Sequence, residues 1–109
     1  MGIQNFHELR QQSEENKIKK FNEYFNKCKD IIDNEINNAV KEGLTKVEIF
    51  LSTIISNTPR YYEEVLLNIR GHYNNLGAET GILEIEVSGG AKVSALVIDW
   101  SNAWWTTLS

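Results

Sequence analysis

Few residues in this chain are of a type that does chemistry. His7 and His72 are its two histidines and Cys28 its one thiol. No His-x-x-x-His or Cys-x-x-Cys pair occurs, so nothing has the spacing that converges ligands on a metal. Neither a metal nor a cofactor is expected. His72 follows Gly71 inside a helical pattern and reads as a surface or hydrogen-bonded histidine. Cys28 falls on an apolar stripe and reads as a small buried hydrophobe. One cysteine permits no internal disulfide, which fits a reducing cytoplasm.

Acid–base work needs two carboxylates placed by the fold. Glu84 and Glu86 project from one side of a predicted strand, about 7 Å apart. A charged solvent face explains them, with Lys92 opposite one of them across a hairpin. Asp99 ends a largely apolar segment. Buried there, its pKa would rise and it would need a partner. The plainer expectation is an exposed strand end. Gly89-Gly90 has no following Lys and helix to cradle a phosphate, and reads as a hairpin turn. Neither histidine has a serine in a nucleophile-elbow context. No catalytic set is expected.

The aromatic residues say more. Tyr61-Tyr62, Trp100 and Trp104-Trp105 are candidates to converge with Arg60. Adjacent Trp residues point to opposite faces of a strand, or about 100° apart on a helix. One ring of that pair is hard to bury in a small domain. Exposed Trp beside Tyr and Arg is the composition of a protein-binding hot spot. The alternative is a tail that folds back to complete the core.

These residues must be positioned by one domain, residues 1–109. Hydrophobic residues are 41% of the chain and charged residues 24%, which excludes a disordered tail or a disulfide scaffold. Net charge is −4. Residues 51–109 carry Arg60, Arg70 and Lys92 against six acids. No segment has the basic excess of a duplex nucleic-acid or anionic-membrane binder. No signal peptide and no bilayer-spanning run is read.

Ile18, Phe21, Phe25, Cys28, Ile32, Ile36 and Ala39 recur at helical spacing, with Tyr24, Ile31 and Val40 beside them. The opposite face carries Lys19, Lys20, Glu23, Lys27, Asp30, Asp33, Asn37 and Lys41. This predicts a helix of about six turns that Gly43 stops. Residues 1–16 are mostly polar and read as a loosely docked arm. Ile3, Phe6 and Leu9 read as a short helical turn that docks weakly or folds back onto the long helix. Gln11–Asn16 read as solvated helix or frayed arm, with Ser13 suited to a new helix start. Leu44–Ser52 reads as a strand, and Thr53-Ile54-Ile55 as strand or helix. Thr58-Pro59 predicts the start of a second helix, capped by Thr58, running to Gly77. Its inward face is Tyr62, Val65, Leu66, Ile69, Tyr73 and Leu76. Gly71 marks close contact with the first helix or a weak turn. Ile82–Val87 alternates, with Leu83, Ile85 and Val87 inward and Glu84 and Glu86 outward. Lys92–Trp100 is apolar on both faces and should be the central strand.

The helix, then Gly43-Leu44-Thr45-Lys46-Val47-Glu48-Ile49, a second helix to Leu76-Gly77, and a last strand ending Val97-Ile98-Asp99-Trp100 resemble small uncharacterised phage-type α/β accessory proteins. The resemblance covers residues 31–100. It implies an α/β fold without a catalytic set, and a role such as binding and blocking a host protein. No residue role carries over.

The expected architecture is α+β and two-layered, in the order α-β-α-β-β. Two main helices pack on one face of a small three-stranded sheet with a C-terminal hairpin. The expected function is a non-enzymatic protein-binding module, an accessory protein or inhibitor of a host factor. It would act in the cytoplasm, the host's if phage-encoded, and self-associate. The alternatives are an oligomeric assembly component and a small ligand-binding domain or enzyme built on Asp99, His72 and the tyrosines.

Overall fold

A 36-residue helix, α1 (Phe6–Lys41), opens the chain in the computed structural model, which describes residues 5–58 and 60–102. Asn5 is extended and its side chain accepts a hydrogen bond from the His7 amide at 2.8 Å, which fixes the helix start. From there no Gly or Pro interrupts the chain before Gly43. Of the two readings of Gln11–Asn16, the solvated helix is the one found, and it extends back to Phe6. Residues 6–16 are the first turns of the same helix, neither folded back nor restarted at Ser13. Every residue from Arg10 to Lys20 is exposed, Ile18 included, so this half projects past the rest. Burial begins further on, with Cys28, Ile32 and Ala39.

Gly43 ends α1 as expected, at φ +79°. The Gly43 amide donates to Val40 O and the Leu44 amide to Ala39 O, at 3.0 and 2.9 Å. These bonds satisfy carbonyls that the helix end would leave open.

Strand β1 (Lys46–Phe50) is shorter than Leu44–Ser52. Leu51 instead begins α2 (Leu51–Asn57), because Leu51 and Ile54, one turn apart, are both buried. Thr58 does not cap the next helix. Its Oγ1 donates to Ile54 O at 2.7 Å, closing α2, and the residue is fully buried. Helix α3 (Tyr62–Asn75) starts four residues later than Thr58, with Tyr61 preceding its first turn and Pro59 outside the described residues. Val65, Ile69 and Tyr73 are its buried face, while Leu76 is exposed rather than inward. A Cβ on Gly71 would meet nothing within 4 Å, so this glycine permits no close helix contact.

Strands β2 (Glu79–Glu86) and β3 (Lys92–Asp99) form the hairpin. Gly89 and Gly90 turn it at φ +90° and +80°, conformations that L side chains resist. The sheet order is β1-β3-β2 with β3 central and antiparallel to both neighbours. The helices cover one face of this three-stranded sheet, the expected α+β arrangement. No described helix is long and apolar enough to cross a membrane.

The register assigns each strand residue to a face, because residues directly opposite in a sheet share a side. Val47 and Ile49 stand opposite Ile98 and Leu96, and these four are buried among the helices. Thr80, Ile82 and Glu84 continue that side across β2. Phe50 and Leu83 stand opposite Ala95, and Ile85 opposite Val93, on the other side. The expected facing of β2 is thus reversed. Leu83, Ile85 and Val87 turn away from the helices, and Glu84 and Glu86 lie on the helix side near the strand's far end. β3 is apolar on both sides, so it accepts either pairing. Arg70 of α3 fixes this one by binding Thr80.

Candidate functional site

The nearest approach to a chemical constellation lies between α1 and α3. Asp33 was expected on the solvent face of α1, but it is half-buried. The Tyr73 hydroxyl donates to its Oδ1 at 2.6 Å and Lys29 Nζ to its Oδ2 at 2.8 Å. Burial alone would raise the Asp33 pKa. The bonds from Lys29 and Tyr73 outweigh it and hold the carboxyl below its ordinary value. Burial, and next the Asp33 carboxylate, push the Tyr73 hydroxyl well above the usual tyrosine range. Tyr73 is thus a fixed donor and Asp33 a carboxylate with both oxygens engaged. The trio can tie two helices together, but it presents no free base to a substrate. Residues 33 and 73 are 40 apart in the chain, and no local pattern couples them.

His72 is half-buried, with its ring edge-on to Phe25 and Tyr73 at 5.9 and 4.8 Å. Cys28 is buried in the core, as expected, and burial pushes its thiol pKa up. Asp99 ends β3 on the open face. Its Oδ1 accepts from the Ser101 hydroxyl at 2.7 Å and the Ser101 amide at 2.8 Å. Those bonds lower its pKa, the reverse of what burial would have done. Asp99 and His72 lie on opposite sides of the sheet, so the pocket that would join them does not form. Among the described residues no three His, Cys, Asp or Glu side chains gather where they could hold a metal ion.

The candidate binding aromatics separate. Tyr61 lies 6.1 Å from Tyr24 of α1, ring to ring, with Lys17 Nζ 5.6 Å from its centre. Tyr62 also packs against the core from the start of α3. Trp100 packs against the core too, but its amide donates to Thr45 O beside β1, beyond the C-terminal end of α1. Arg60 is exposed. Trp104 and Trp105 lie outside the described residues.

One exposed apolar patch lies on the side of the sheet away from the helices. Phe50 and Leu83, 48% and 45% exposed, flank Ala95, which has no exposed surface. Val93, Val97 and Ile85 extend this platform, each half-buried. Lys46, Glu48, Glu79 and Asp99 rim one end of it. The alternation along β3 was the signal available in the sequence. Which side the helices would take was not.

No protein-family model, no curated protein and no solved structure matches this chain.

Proposed function

We infer that this chain is a non-enzymatic protein-binding module that docks through the open face of its sheet. The observation that carries this reading is the pair Phe50 and Leu83, apolar side chains about half exposed on either side of the buried Ala95. The engagement of Lys29, Asp33 and Tyr73 with one another supports it, since the best-placed polar cluster is occupied. A phage-encoded accessory protein or inhibitor of a host factor, acting in the host cytoplasm, is the finer form of this reading. It rests on the resemblance over residues 31–100. The test is comparative capture from host lysate with the wild-type chain and with Phe50→Lys/Leu83→Lys. Both changes sit at exposed positions and should leave the circular dichroism spectrum unchanged. A partner held by wild type and lost by the variant is the expected result. A partner indifferent to both changes overturns the reading.

A second reading, an oligomeric assembly component, is favoured by a different surface. A groove of about 570 Å³ runs between α1 and α3, lined by Ile18, Phe21 and Leu67 among others. Ile18 and Leu67 are 61% and 71% exposed. A second copy docking along the projecting half of α1 would cover them. Sedimentation equilibrium separates the readings, because a monomer at all concentrations rules the second out.

A further inference from the structure

We propose that the outer edge of β2, from Ile82 to Glu86, takes up an extended basic segment of a partner protein, one alternating Lys or Arg with apolar residues. This rests on the protein-binding reading and names the partner's chemistry.

The edge is open by register. Val87 bonds Ala91 across the hairpin, and the same pairing makes residues 85, 83 and 81 the hydrogen-bonded positions with β3. The N–H and C=O groups of Thr80, Ile82, Glu84 and Glu86 therefore point away from the sheet. Arg70 confirms the phase, since its guanidinium donates to Thr80 O at 3.2 Å from outside. That contact closes the edge at Thr80. Among the described residues nothing bonds the outward groups of Ile82, Glu84 or Glu86. The opposite edge, on β1, has only Lys46 and Glu48 outward before Phe50 leads into α2.

The side chains select the occupant. Glu84 and Glu86 project from one side of this edge, and β2 carries no base. Lys92 stands opposite Glu86, but Ser94 stands opposite Glu84. A second copy of β2 would bring four carboxylates onto one short stretch, which like-charge pairing disfavours. An added antiparallel strand with bases on the helix side meets these acids. Its intervening apolar residues extend the platform beside Leu83 and Ile85.

The register also says which partner amides matter. Residues opposite Ile82, Glu84 and Glu86 are hydrogen-bonded positions, so the partner's basic residues donate the backbone bonds. The probes are labelled (Val-Lys)4 and (Val-Glu)4, and (Val-Lys)4 N-methylated either on its lysines or on its valines. Binding to the full chain is read by fluorescence anisotropy, and site by amide hydrogen exchange. (Val-Lys)4 should bind and slow exchange at Ile82, Glu84 and Glu86. (Val-Glu)4 and the lysine-methylated peptide should bind at least about tenfold more weakly, while the valine-methylated peptide binds normally. Glu84→Lys should reverse the charge preference. Equal binding of the two methylated peptides, protection at Lys46 and Glu48 instead, self-pairing of the protein through β2, or no binding overturns the proposal. Loss of a lysate partner on Phe50→Lys/Leu83→Lys would leave the open-face reading standing even then. Peptide binding with an indifferent lysate partner would do the opposite.

Discussion

One strand supplies both faces of the sheet, yet the faces have opposite fates. On the helix side, Leu96 and Ile98 of β3 are sealed beneath three helices with Val47 and Ile49. On the other side, Val93, Ala95 and Val97 stand opposite Ile85, Leu83 and Gly81 of β2, and Ala95 and Val97 opposite Phe50 and Glu48 of β1. Apolar composition is alike on the two sides, so composition did not decide which became core. The helices did, by bringing Cys28, Ile32, Val65 and Ile69 to one side alone. A strand apolar on both faces in a two-layer domain thus leaves one face for another use.

The largest expected effect falls on the sealed side. Leu96→Ala removes a fully buried side chain from a packed site. It should cost about 3 kcal/mol, read as a lowered urea midpoint with an unchanged slope. A loss below about 1 kcal/mol would mean that the helix layer is loosely packed, and the contrast between faces would fail.

The tie between α1 and α3 comes next. Tyr73→Phe removes the donor to Asp33 and should cost about 1 kcal/mol near neutral pH. The pH dependence has two limbs. Asp33 has a lowered folded pKa, so its contribution is present above the unfolded value near ~4 and is lost as pH falls below it. Tyr73 has a raised folded pKa, so its contribution is present below the unfolded value near ~10 and fades as pH climbs beyond it. Stability of wild type and Tyr73→Phe should therefore converge at both extremes. A constant gap from pH 3 to 11 would show that the hydroxyl serves packing alone.

The order of elements, the central β3, the Gly43 and Gly77 stops and the burial of Cys28 follow from spacing and turn chemistry, which act over a few residues. The true start of α1 was less visible. Asn5 caps it, but the polar run after Leu9 hides a helix that packing does not support. Thr58 misled because a hydroxyl before Pro suits a helix start, whereas here it bonds backward to Ile54. The Asp33–Tyr73 bond and the facing of Leu83 depend on how distant elements meet, and no local pattern encodes that.

Gly71 sharpens the comparison within the helix layer itself. Its added methyl would meet open space, and the helix interior penalises Gly. Gly71→Ala should raise stability by up to about 1 kcal/mol in the same urea titration. A loss would reveal contact between α3 and α1 at that point, making the sealed side tighter than its geometry indicates.

The smallest effect is the most telling. Leu83→Thr places a β-branched residue on the strand and removes an isobutyl group that is already 45% exposed. Its cost should stay within about 1 kcal/mol, well under that of Leu96→Ala, although both are leucines in adjacent strands. If the two costs prove equal, the outer side of the sheet is already covered in the free protein. Something then sits on Phe50, Ala95 and Leu83, and the open-face reading falls with the contrast. If the difference holds, the leucine contributes little to folding, and its apolar surface remains for a partner.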